Sequence, residues 1–327
     1  MKMTLYPQNF ALVNIPLKFE LKKGYNTIKI NKIPETTDEK SIILNFLNND
    51  DISIKSYSFN PNSKDELNQD KTKELLLEIY SAEDYNKCEV DFSYKVLDIQ
   101  FENFYNFLYL PSENNILMDG WIKIKNHKLF NFENVDLQLV HNYKNQNIIF
   151  SIDGRYNINS PERTISFISL KIPVEKKLLA RYDSDIVKEC IFFTNSKENS
   201  LGSILMPGTT SVHFKDGEGH LHLLGQDNFS LYLPDEEIEF EIGDAEEIIK
   251  IERKIDDNLF INIFTNLTDQ IVDLDAEFNT FGGKIMDSNS VLEVDENHIG
   301  HLTMRLLPKG HNVVKYRIEP NEIEMPI

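Results

Sequence analysis

The sequence predicts an all-β protein of two or three β-sandwich-like domains with one short helical segment, and three observations predict it. Apolar residues alternate with polar ones at a period of two along most of the chain, as half-buried strands require. The alternating runs are short and regularly spaced, with turn residues between them, which argues for sandwiches or open barrels. The apolar fraction of 41%, with 21 Phe and 13 Tyr among 327 residues, is ample for real cores and excludes a disordered chain.

The elements follow in order. Phe19 and Leu21 alternate with charges, Lys22-Lys23-Gly24 makes a turn, and Tyr25, Thr27 and Lys29 oppose Asn26, Ile28 and Ile30. Residues 19–30 therefore read as a hairpin with one buried face. Similar runs cover 42–47, 52–59, 88–100, 120–125, 135–140 and 148–152. They continue at 165–172, 189–194, 211–214, 220–224, 230–233, 238–242 and 248–255. The last are 259–266, 270–279, 291–294, 300–307 and 312–319. One segment argues for a helix: Ser63-Lys64-Asp65-Glu66 has the form of a capping box, and Leu67, Lys71, Leu75 and Ile79 follow at helical spacing. The helix is expected between 64 and 83, whereas 174–188 is less patterned and reads as a loop or a single helical turn.

Pattern gives way to polar runs at 82–87, 195–202 and 254–258. The expected units are an N-terminal β domain over 1–88 that ends in the helical segment, a central β-sandwich domain over 89–255 and a C-terminal β-sandwich unit over 256–327. No fixed repeat is visible, which argues against a solenoid or propeller.

Charge and cysteine usage narrow the partners. With 53 acidic against 34 basic residues, the net charge is −19, so phosphate backbones and anionic lipid surfaces are repelled. Basic partners or cations fit better, and solubility alone is the plain reading. Cys88 and Cys190 are too few and too far apart for a disulfide framework, which points to a reducing compartment. Pro7, Gln8, Asn9 and Asn14 interrupt any signal-peptide core, and no apolar run is long enough for a membrane helix. The expectation is a cytoplasmic protein with neither membrane insertion nor nucleic-acid binding.

Two groups of residues are candidate sites. His213, His220 and His222 lie either side of Asp216-Gly217, a two-residue hairpin signal. A two-residue turn there puts three imidazoles on one face, the ligand count of a catalytic zinc site, whereas a three-residue turn breaks the arrangement. The plain reading is ordinary strand histidines. Trp121, Phe104 and Tyr105, with Phe101, Phe107 and Tyr109, form the densest aromatic zone. They are a binding candidate, as a stacking platform for sugars or an anchor for a protein, and the plain reading makes the lone Trp a core pin. The carboxylate clusters at 235–237, 244–247 and 273–277 lack the offsets of a calcium loop and read as solvated faces. The common nucleotide-binding and Gly-x-Ser-x-Gly motifs are missing, so no cofactor and no catalytic residue is expected.

Four blocks carry a resemblance. They are LYPQNFALVNIPLKFELKKGYNTIKINKIPETTDEKSI at the start, SYKVLDIQFENFYNFLYLPSENNILMDGWIKIKNHKLFNFENVDLQLV, LGSILMPGTTSVHFKDGEGHLHLLGQDNFSLYLPDEEIEFEIGDA, and the tail with NLFINIFTNLTDQIVDLDAEF and YRIEP. Together they resemble an uncharacterised all-β family related to mucoidy inhibitor A, over nearly the whole chain. The sequence departs from that family in lacking an export signal, in a shortened region between Ser58 and Glu89, and at Gln226, where the family often has Glu. The family name implies an influence on capsule or exopolysaccharide but supplies no active site to transfer.

Two functions follow as expectations. The first is a non-enzymatic binding or scaffold protein that uses rigid β-sandwiches for protein–protein interaction or self-association. The alternative is a metal-dependent or carboxylate hydrolase acting on glycans or peptides, founded on the three histidines and the acidic clusters.

Overall fold

The computed structural model of the chain describes residues 1–47, 51–61, 72–128 and 130–319. Four sheets account for the fold. Sheet I runs β11-β10-β1-β2-β7-β4, from β1 (Lys2–Tyr6), β2 (Phe10–Leu21), β4 (Thr37–Phe46), β7 (Tyr85–Leu97), β10 (Phe132–Tyr143) and β11 (Gln146–Ile158). Sheet II runs β3-β6-β5, from β3 (Gly24–Pro34), β5 (Ile52–Pro61) and β6 (Thr72–Ser81). Sheet III runs β12-β9-β8-β15-β16, from β8 (Ile99–Leu110), β9 (Asn115–Asn126), β12 (Glu162–Pro173), β15 (Gly208–Lys215) and β16 (Leu221–Phe229). Sheet IV runs β20-β23-β18-β17-β14-β13-β19-β22-β21. Its strands are β13 (Glu175–Ala180), β14 (Ile186–Thr194), β17 (Glu237–Lys254), β18 (Leu259–Asn266), β19 (Val272–Asn279), β20 (Lys284–Ser288), β21 (Glu293–Val294), β22 (Ile299–Leu306) and β23 (His311–Glu319).

Alternation explains why these segments are strands. In β7, Cys88, Val90, Phe92, Tyr94 and Val96 are all buried, every second residue. Each such side chain contributes roughly 1.5–3 kcal/mol on burial, and only an extended backbone points all five the same way. They meet Leu75, Leu77 and Ile79 of β6 in one core, with Met3, Leu5, Ala11 and Val13 from β1 and β2. The inner face of sheet III carries Tyr105, Phe107, Ile116 and Met118 against Ile191, Phe193 and Ile238 of sheet IV. A third core, with Phe264, Leu274, Phe278, Leu306 and Tyr316, lies between the two halves of sheet IV.

The all-β class is what the structure shows, and several local expectations change. The helix expected at 64–83 is a strand over Thr72–Ser81, and 82–83 are a bend: Leu75 and Ile79 fit a helical spacing, but Leu77 is buried with them, which fits only period two. Residues 64–71 of that expectation lie outside the described residues. The turn at Lys22-Lys23-Gly24 does not close a paired hairpin, because β2 pairs with β7 and β3 pairs with β6. It carries the chain from sheet I to sheet II, with Lys22 N–H donating to Asn26 Oδ1 at 2.8 Å. The stretch 174–188 is mostly strand, since β13 pairs with β14 and in parallel with β19.

The expected divisions at 88/89 and 255/256 do not separate sheets. The first falls inside β7. The second falls between β17 and β18, which pair from Ile248 to Lys254. The 195–202 run is no linker either. Buried Asn195 staples it, donating to Ser203 O at 2.7 Å and Leu233 O at 2.8 Å while accepting from Gly202 N at 3.0 Å.

Candidate functional site

The histidine hairpin adopts the three-residue turn. Asp216 N donates to His220 O at 3.0 Å, Gly219 N donates to Asp216 O at 3.0 Å, and Gly219 takes a φ of +92°. This is a type I turn closed by a left-handed glycine. It pairs Phe214 with His222 and His213 with Leu223. His222 stacks on Phe214, with ring centroids 4.8 Å apart, so His213 points to the other side of the sheet. The three-imidazole face expected from a two-residue turn does not form, which removes the geometric basis for a metal centre at His213, His220 and His222.

Asp216 organises this turn. Its Oδ1 accepts from Glu218 N at 2.9 Å and His220 N at 2.8 Å, and its Oδ2 lies 2.7 Å from His222 Nε2. The His222 ring, followed by the backbone N–H of His220, holds the carboxyl down at about 2. The same construction recurs at Asp295 in sheet IV. Asn297 N and Ile299 N donate to Asp295 Oδ1 at 2.9 and 2.8 Å, and His301 Nε2 lies 3.3 Å from Oδ2. In both hairpins an Asp caps the turn and a His six residues on closes over it. These are structural staples.

The aromatic zone divides between the two sides of sheet III. Tyr105 is fully buried and its hydroxyl donates to Met206 O at 2.7 Å, so it belongs to the core and offers nothing to a ligand. Phe104 and Trp121 pair directly across β8 and β9 on the outer side, both half-buried, with ring planes 14° apart and centroids 6.5 Å apart. Beside them Ser169 donates to Asp119 Oδ1 at 2.7 Å, and Gln226 donates to Ser211 Oγ at 3.2 Å.

Sheet IV carries two further surfaces, the second of them lined in part by the carboxylate clusters at 235–237 and 273–277. On the outer side of β17–β18–β23, three cross-strand rows line up: Ile249–Thr265–His311, Ile251–Ile263–Val313 and Arg253–Ile261–Lys315. Ile249, Ile251 and Val313 are 40%, 41% and 42% exposed, which is high for aliphatic side chains in the middle of a sheet. Arg253 and Lys315 are exposed and form no ion pair among the described residues. Arg317 reaches Asp256 at 3.6 Å.

The second surface is an open groove of about 610 Å³ on the outer side of β14, β13, β19 and β22. Leu179 and Phe192 form its floor, Val291 stands at its lip 84% exposed, and Glu237, Glu239, Asp275, Glu277 and Glu293 line it against Lys177. Lys177 covers the Phe192 ring at 4.9 Å. Arg181 pairs with Glu239 at 2.5 Å and Glu277 at 3.9 Å, and Thr303 donates to Asp275 at 2.6 Å. Glu237 and Glu293 are exposed and have no cation partner among the described residues. Cys190 is buried beneath this network, and burial, with Glu239 adding, pushes its thiol far up, away from nucleophilic use.

A scan against protein-family models finds no match, and comparison with curated proteins finds no relative. The resemblance to the mucoidy inhibitor A family is therefore carried by the four residue blocks alone. No helix among the described residues is long and apolar enough to cross a membrane.

Proposed function

We propose that this chain is a non-enzymatic binding or scaffold protein of the cytoplasm, holding a protein partner or further copies of itself on the outer faces of rigid β-sandwiches. The observation that supports this most directly is the aliphatic face of β17–β18–β23. Five of its nine side chains, Ile249, Ile251, Ile261, Ile263 and Val313, are aliphatic, and exposed Ile249, Ile251 and Val313 lie together on it instead of scattered singly. Sheet hydrogen bonds fix its backbone, so binding there costs little ordering entropy. The net charge of −19 favours a protein partner over nucleic acid or an anionic membrane.

The test places a photo-crosslinking amino acid at Val313 in the full chain. In an extract of the source cells it is expected to trap a protein, and Ile251→Asp is expected to abolish the trap. Failure to form any protein adduct at position 313 overturns the reading.

A further inference from the structure

We infer that the aliphatic face of β17–β18–β23 is occupied by a second copy of this chain, which inserts its own acidic groove of β14, β13, β19 and β22 against that face. This names the occupant for the function proposed above and rests on that proposal.

In a chain of net charge −19, the face keeps two exposed cations, Arg253 and Lys315, without a carboxylate partner among the described residues. They bracket Ile261 in one cross-strand row, beside the exposed aliphatic row Ile251–Ile263–Val313. The groove keeps the opposite remainder. After Arg181 and Thr303 have taken Glu239, Glu277 and Asp275, Glu237 and Glu293 are left as exposed carboxylates. Between them lie the apolar floor of Leu179 and Phe192 and the exposed Val291. Each surface offers what the other lacks: two charges of one sign around apolar area.

A groove cannot pair with another groove, nor a face with another face, because like charges would meet. The contact is therefore heterologous, and since each copy retains one free groove and one free face, copies add head to tail. Opposite charges brought together also steer the encounter, so association depends on salt within a Debye length of about 8–10 Å.

The experiment is sedimentation velocity of the purified full chain from about 1 to 100 µM, in about 50 and 500 mM salt. Growth beyond a dimer is expected at low salt, weakened on the order of tenfold at high salt. Arg253→Glu with Lys315→Glu abolishes it, and so does Glu237→Lys with Glu293→Lys. Mixing the two charge-reversed chains restores it, because each then supplies the other's complement. All four positions are exposed, and an unchanged circular dichroism spectrum verifies the fold of each variant.

A wild-type chain that stays monomeric across the range, or assembly indifferent to both reversals, overturns the inference. If purified copies stay monomeric while the crosslinker at Val313 still traps a different protein, the self-pairing falls and the binding role stands. If the trap fails as well, both fall.

Discussion

Lys250 gives the sharpest test of how sheet IV is held together. Its side chain is only 5% exposed, on the inner side of β17, and its ammonium donates to Arg181 O and to Ser184 O, the latter at 2.9 Å. Burial pulls its pKa below the ordinary 10.5, against the pull of Glu252, Asp185, Asp183 and Glu277 in the other direction. Lys250→Met keeps most of the volume and removes both donations. Two orphaned carbonyls cost about 1–3 kcal/mol each, and relief from burying an ammonium offsets part of that, so the expected net loss is about 2 kcal/mol at neutral pH.

The sign of the pH dependence follows from the depressed value. Between the folded value and 10.5 the unfolded chain binds more protons than the folded one, so wild-type stability rises with pH across that window. The Met variant lacks this term, and the cost of the substitution must grow as pH climbs from 7 towards 10. Urea titrations at several pH values, with the slope m unchanged, read the cost, and hydrogen exchange at residues 181–186 reads the loosening of the turn. A loss below about 0.5 kcal/mol, or a cost that stays flat with pH, refutes the reasoning.

Two other tests are simpler. A Cβ at Gly208 would sit 2.5 Å from Asn103 O, so Gly208→Ala must part the parallel seam between β15 and β8. A loss of at least about 2 kcal/mol and a Tm drop of several degrees are expected by calorimetry, and a Tm within about 1 °C of wild type contradicts the packing described. Asp216 is held at about 2, so its contribution to the turn is present above the ordinary 3.8 and is lost only as pH falls through about 2. A carboxyl-detected NMR titration should place its midpoint near that value, and Asp216→Ala should strip exchange protection from the Glu218 and His220 amides; a midpoint near 4 would show that the turn is not capped this way.

The fold class was legible because period two is a property of the backbone and survives any tertiary arrangement. Strands such as β7 and β18 announce themselves in this way, with every second residue buried. Pairing is not local, and it was misread where a turn joined neighbours in sequence that belong to different sheets, as at Lys22-Lys23-Gly24. β6 was obscured by Leu75 and Ile79, which lie four apart and satisfy both periods; Leu77 decides between them only once the opposing core is known.

At the histidine hairpin the reading turned on one residue of loop length. Asp216-Gly217 resembles a two-residue turn, but Gly219 is the residue with positive φ, and the shift in register sends His213 to the opposite face. A signal was available in the recurrence of Asp followed six residues later by His, at Asp216 and His222 and again at Asp295 and His301. The proposed interaction face left no signature, because Ile251, Ile263 and Val313 look like any other strand residues until the sheet places them in one row, with Ile251 and Val313 exposed among the described residues.

One feature of sheet IV sets the mechanical character of the molecule. The 18 residues of β17 pair first with β14 and then with β18, with register shifts between Glu241 and Gly243 and between Asp244 and Ile249, so one continuous strand is shared by the layer over sheet III and the final sandwich. Neither module can swivel without tearing that ladder, and the chain acts as a beam instead of beads on a string. A filament of such beams would rise by a constant step per subunit.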